Sequence, residues 1–197
     1  MKFILIVILL FFTACSQDNK ISEKEDSFEI MNRRISDIPS VVEREVTLGE
    51  AITLIIDDGK NRVDNIELAC NAISGKTLNP GEEFSFNTIT GDKTQQRGYK
   101  YAPVIFKGEK TYGIGGGVCQ VSSTIYMAAV NAGLEITEKH SHSESVAYAP
   151  NHTDATVVYG EKDFKFVNDT GDVIYIYTWV TDGKVFSKII KKSIDIE

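Results

Sequence analysis

The sequence has no surplus of basic charge: 28 acidic side chains stand against 21 basic ones, for a formal net charge of −7. No basic run or interleaved basic-aromatic stretch offsets this locally, so nucleic acid is excluded as the expected partner. Long apolar runs are scarce too. The one at Phe3–Phe12 covers about half of the ~20 residues that a membrane-spanning helix needs. Internal repeats and low-complexity blocks are absent. Histidine and cysteine number three each, so any site built from them draws on a short list. What remains is ordinary for a globular protein: 42% hydrophobic and 25% charged residues in 197, enough for one main domain of ~100–200 residues with a real core.

The N-terminus reads as an export signal. Met1-Lys2 precedes the apolar run, and Thr13-Ala14-Cys15-Ser16 follows it. That order fits a secretory signal peptide whose end resembles a bacterial lipobox, with cleavage before Cys15 and a diacylglycerol on its thiol. The expected organisation is a signal over 1–14, a lipidated Cys15 with a flexible polar tether to 45, a domain over 46–190 and a polar tail over 191–197. The protein is then expected outside the cytoplasm, held to the membrane by lipid. Export leaves Cys70 and Cys119 as the possible disulfide pair. Cys70, however, falls with Ile66, Ala69 and Ile73 on one helical stripe, which predicts a buried packing residue.

The pattern of the rest predicts an α+β fold: two helices packed on a mostly antiparallel sheet. Strands are expected at Val46–Ile56, Glu83–Asn87, 101–106, 155–159, 164–167, 173–180 and 184–190. Helices are expected at about 63–74, capped by Asn61, and about 119–132. Asn168–Gly171 and Thr181–Gly183 read as hairpin turns. Tyr175, Tyr177 and Trp179 alternate as sheet-packing residues.

One stretch stands out chemically: Gly113-Ile-Gly-Gly-Gly-Val-Cys119-Gln-Val-Ser-Ser-Thr124. Glycines lead into Cys119, and Val121, Ile125, Ala128 and Ala129 then recur at helical spacing. Cys119 is therefore expected at the N-terminus of a helix, where unpaired N–H groups and the helix dipole favour thiolate. Backbone N–H groups near Gly116, Gly117 and Cys119 could receive an oxyanion. All three histidines follow: His140, His142 and His152, with Asp154 close behind. A cysteine, a histidine base and an orienting carboxylate make a triad. Periodicity does not choose between His140 and His142. Gln120, Ser122, Ser123 and Thr124 share the first helical turn and either bind substrate or secure that turn. Cys119, His140, His142 and Asp154 also offer metal-binding atoms. Only His140-Ser-His142 is short-spaced, though, so no metal and no cofactor is expected.

Across residues 61–180 the chain closely resembles the VanW family. The resemblance lies at Leu78-Asn-Pro-Gly-Glu-Glu-Phe-Ser-Phe-Asn87, at the glycine–cysteine stretch through Tyr126, and at Ala132-Gly-Leu-Glu135, His142-Ser143 and Asp154-Ala-Thr-Val157. Some members are regarded as L,D-transpeptidases of peptidoglycan. The resemblance implies Cys119 as nucleophile, His142 as base and Asp154 as its orienting partner, with His140 second choice as base. It implies stem peptides as partners and a cross-link joining the third residues of two stems. The alternative is a non-catalytic module that binds the wall or its stem peptides.

Overall fold

The computed structural model describes residues 41–106 and 109–196, and residues 43–194 form one compact unit. The apolar run, Cys15 and residues 16–40 of the expected tether lie outside the described residues. The fold is α+β with antiparallel sheets and few helices. A four-stranded sheet has the order β1 (Val41–Leu54), β9 (Lys184–Ile196), β8 (Ile174–Thr181), β2 (Lys76–Leu78). A three-stranded sheet has the order β3 (Glu83–Ser85), β7 (Lys165–Val167), β6 (Glu135–Glu138). A separate hairpin pairs β4 (Tyr101–Phe106) with β5 (Glu109–Ile114).

Helix α1 (Lys60–Ile73) lies against β8 and the long helix α3 (Val118–Asn131). Its stripe of Ile66, Ala69, Cys70 and Ile73 is buried, as the spacing predicts. Val121, Ile125, Ala128 and Ala129 bury the facing side of α3. Phe84, Phe86, Phe164 and Phe166 fill the space beneath the small sheet, with Phe84 and Phe166 stacked at 4.7 Å. Asp182 and Gly183 both have positive φ and close the β8–β9 hairpin, the pairing that a two-residue primed turn requires. Trp179 stacks on its cross-strand partner Phe186 at 5.2 Å, a sheet-packing contact.

The structure departs from the sequence pattern in specific places. Gly59, not Asn61, stands at the start of α1; the Asn61 amide instead donates to Tyr101 O at 2.9 Å. The strand expected through Asn87 stops at Ser85, whose hydroxyl accepts from Thr88 N and starts a five-residue helix, α2 (Phe86–Thr90). Residues 168–171 do not close a hairpin: the chain bends at 170–172, where Asn168 Oδ1 accepts from Thr170 N at 3.1 Å. β7 pairs with β3 and β6 while β8 belongs to the other sheet. Residues 155–159 are not a strand, because their backbone is bonded elsewhere, as described below. β5 is a strand without apolar alternation, largely exposed. β9 runs on to Ile196, past the Ile190 at which the sequence pattern stops.

Candidate active site

Cys119 is the second residue of α3, and the loop before it is packed from below. A Cβ on Gly116 would lie 2.5 Å from Pro103 O, and one on Gly117 would lie 2.8 Å from Ile66 Cγ1. Gly117 also has φ 106°, a conformation that L residues rarely adopt. These glycines thus let the loop sit directly on β4 and α1. The buried Asn65 fixes it there, donating to Gly116 O and Lys100 O at 3.0 Å and accepting from Lys100 N at 2.8 Å. Val118 N and Gln120 N are turned inward to Gly115 O and Gly117 O. Among the described residues, no hydrogen bond occupies the N–H groups of Gly116, Gly117 or Cys119.

The hydroxyls after Cys119 hold a second segment against the helix. Ser123 Oγ accepts from Ala155 N at 2.9 Å and donates to Cys119 O at 2.7 Å. Ser122 Oγ donates to Ala155 O at 2.6 Å. Both serines are fully buried. Ala155 is therefore clamped through both of its backbone polar groups, which is why this segment follows the helix rather than joining a sheet. Asp154 is the residue before the clamp and Val157 lies two beyond it. Val157 O lies 3.6 Å from Cys119 Sγ.

Asp154 in turn holds His142. Its Oδ2 lies 2.6 Å from His142 Nδ1 and accepts the His142 backbone N–H at 2.6 Å. Both side chains are largely buried. With Nδ1 engaged by the carboxylate, Nε2 is the ring nitrogen left for Cys119. Burial alone would raise the Cys119 thiol, but the hydrogen bond and charge of His142, with the ammonium of Lys93, outweigh it and hold the thiol below its ordinary value. Burial likewise would lower His142, yet Cys119 and then Asp154 hold the imidazole above its usual range. Against its own burial, Asp154 is lowered by the backbone and ring of His142. The three shifts favour a thiolate–imidazolium pair beside a carboxylate.

Cys119 and His142 open onto a cavity of about 670 Å³. The β4–β5 hairpin forms one wall, and Arg62, Lys93, Tyr148 and Thr156 contribute polar atoms. Tyr148 meets His142 edge-on at 6.5 Å, and burial pushes its phenol well above the usual range. Burial pulls the Lys93 ammonium down to about 8. Nothing in the sequence pattern singled out Lys93, Arg62 or Tyr148. Arg62 and Lys93 lie far along the chain from the cysteine–histidine window, Tyr148 lies inside it, and a lone basic or aromatic residue carries no spacing signal.

The other candidates are accounted for individually. His140 is not beside Cys119. Its Nε2 lies 3.0 Å from Glu138 Oε1, in a partly exposed cluster where Glu138 also pairs with Lys165. Residues 139–142 are irregular backbone, so strand alternation does not put His140 and His142 on one face. His152 is exposed in a turn, with φ 58°. Gln120 is buried, donating to Thr53 Oγ1 and Leu54 O and accepting from Arg62. Thr124 bonds Gln120 O and Thr53. These hydroxyls and this amide tie α3 to β1 and to residues 154–157. Cys70 and Cys119 are both free thiols, and Cys70 sits 3.5 Å from Thr178 Oγ1. Among the described residues no group of three or more potential ligands is arranged for a metal ion, and no helix is long and apolar enough to cross a membrane.

A family model described as VanW like protein matches residues 61–190. The chain belongs to the VanW family. It is 46% identical over 129 residues to YoaR of Bacillus subtilis (strain 168), described as an uncharacterized protein, a match covering 66% of this chain and 43% of that relative. It is 29% identical over 135 residues to the vancomycin B-type resistance protein VanW of Enterococcus faecalis (strain ATCC 700802 / V583), covering 66% of this chain and 49% of the relative. The chain thus spans less than half the length of either. No solved structure matches it.

Proposed function

We propose that this VanW-family chain is a cysteine acyltransferase of the cell wall, an L,D-transpeptidase that forms three-to-three cross-links between peptidoglycan stems. The observation that carries the reading is the 2.6 Å contact of Asp154 with His142, whose ring lines the same cavity as Cys119, with the thiol lowered and the imidazole raised. The open N–H groups of Gly116, Gly117 and Cys119 support it, because they offer an oxyanion three donors on the cysteine's own loop.

The chemistry follows from these positions. Cys119 thiolate attacks the carbonyl carbon between the third and fourth residues of a stem tetrapeptide. The C–N bond breaks, imidazolium at His142 gives its proton to the departing amine, and D-Ala leaves. A thioester remains on Cys119. The side-chain amine of a second stem's third residue attacks it, His142 takes up the amine proton, and Cys119 is released as thiolate. Water as acceptor gives carboxypeptidase activity instead. Asp154 keeps the ring oriented and stabilises its charge throughout. Lipid on Cys15 would place this chemistry at the outer face of the membrane, within reach of the wall.

Purified disaccharide-tetrapeptide incubated with the full chain in detergent tests the proposal. The expected products are free D-Ala and a cross-linked dimer, both absent with a folded Cys119→Ala variant. A Cys119→Ala protein that binds the muropeptide equally well, beside a wild type that releases no D-Ala, makes the chain a binding module.

A further inference from the structure

Lys93 is one of several charged groups of the cavity, with Arg62, Lys110, Asp57 and Asp92, that form no bond in the acyl-transfer steps. Its stem packs on the glycine loop: a Cβ on Gly115 would lie 2.9 Å from Lys93 Cβ. The ammonium donates to Asn87 Oδ1 at 2.8 Å and lies 5.4 Å from the Phe86 ring centroid and 5.9 Å from that of Tyr159. An ammonium has three donors, and only one meets an oxygen here. Among the described residues no carboxylate forms an ion pair with it. Cys119, Asp163 and Asp92 act on it only through their charge. Its lowered pKa, caused first by burial, is that of a cation held without a counter-charge in contact.

Two further polar atoms of the cavity lining have no partner among the described residues: Arg62 Nε and Thr156 Oγ1. Thr156 is only 8% exposed. Arginine and lysine only donate, so the cavity's unmet demand is for a hydrogen-bond acceptor with negative charge. An orphaned buried donor is costly, and a ligand that satisfies it is selected for its acceptors.

We propose that Lys93 binds the free carboxylate of the donor peptide's last residue, so that the site acts on the terminal peptide bond of a chain ending in a carboxylate. The proposal rests on the acyl-transfer reading of Cys119. In such a donor the carboxyl carbon of the leaving residue lies within about 4 Å of the scissile carbonyl carbon. A cation that reads it must therefore sit near the nucleophile, and Lys93 is near enough for its charge to act on Cys119. A carboxamide, or an internal peptide bond, presents no charge at that point.

The test compares two tetrapeptide donors that differ only in ending as carboxylate or carboxamide, with wild type, Lys93→Gln and Lys93→Arg. Wild type favours the acid in kcat/KM by about tenfold or more, through KM, as expected for a hydrogen bond to a charged group. Lys93→Gln brings the two donors together, and Lys93→Arg restores part of the preference. Equal use of acid and amide by wild type overturns the proposal, as does an acid preference that survives in Lys93→Gln. An equal fall on both donors in Lys93→Gln, with the alkylation profile of Cys119 shifted to higher pH, assigns Lys93 to the thiol alone and also overturns it. Calorimetry of both peptides on Cys119→Ser needs no turnover. Acid-selective binding that Lys93→Gln abolishes upholds the role of Lys93 even where wild type transfers no acyl group, so the two failures are separable.

Discussion

The amide of Ala155 donates to Ser123 Oγ at 2.9 Å, which joins the residue after Asp154 to the residue four after Cys119. Carboxylate and thiol are thereby positioned by one short clamp rather than by separate parts of the fold. Ser123→Ala removes the acceptor and leaves a buried N–H unsatisfied, a loss of about 1–3 kcal/mol. Denaturant unfolding should show that drop in midpoint. At a denaturant-free temperature where the variant is fully folded, acyl transfer should still be slowed. Unchanged stability and rate would show that the clamp positions nothing.

The opposed shifts of Cys119 and His142 give a pH prediction. The thiol is lowered and the imidazole raised, so the thiolate–imidazolium pair persists between the two. Alkylation of Cys119, followed on its own peptide by mass spectrometry, should already be fast below the ordinary thiol range near ~8.5. His142→Asn removes the partner, and the profile should move up toward or beyond that range. Cys70 is an internal control: burial pushes its thiol up to about 11, so it should stay unmodified at neutral pH.

The two neighbouring histidines should separate cleanly. His142→Ala breaks the contact with Asp154 and should remove nearly all activity. His140→Ala loses only a half-exposed contact to Glu138, worth less than about 1 kcal/mol, and activity should be near wild type. A large loss confined to His140→Ala in the muropeptide assay would reverse the assignment of the base.

A packing prediction concerns Gly49 on β1. A Cβ there would lie 2.3 Å from Ala128 O and 2.4 Å from Ala132 N, both backbone atoms of the α3 end. Gly49→Ala must push strand and helix apart, at a cost of about 1–3 kcal/mol or more. Gly171→Ala, with open space around it, should leave the unfolding midpoint almost unchanged.

The two helices, the β8–β9 hairpin and the loop-to-helix position of Cys119 were legible because each has a local signal. Helical spacing marks Ile66, Ala69, Cys70 and Ile73; Asp182-Gly183 names its own turn. The approach of Asp154 to His142 followed from the family resemblance, not from periodicity, since irregular backbone at 139–142 has none. Strand 155–159 was misread because Val157 and Val158 look β-like in isolation. The serine hydroxyls that claim Ala155 are over thirty residues away in sequence. Lys93 was invisible for the same reason: its meaning comes from Gly115 and the cavity, contacts that no spacing rule encodes.

The most direct measurement is the intact mass of the protein after brief exposure to a stem tetrapeptide, with quenching in acid. The account predicts a mass increase equal to the mass of the tetrapeptide less that of D-Ala, carried on Cys119 as a hydroxylamine-sensitive thioester. It predicts no adduct on Cys119→Ser that forms at the same rate, and slower formation on His142→Ala. An unmodified wild-type mass at every time, in protein shown to bind the tetrapeptide, would contradict it.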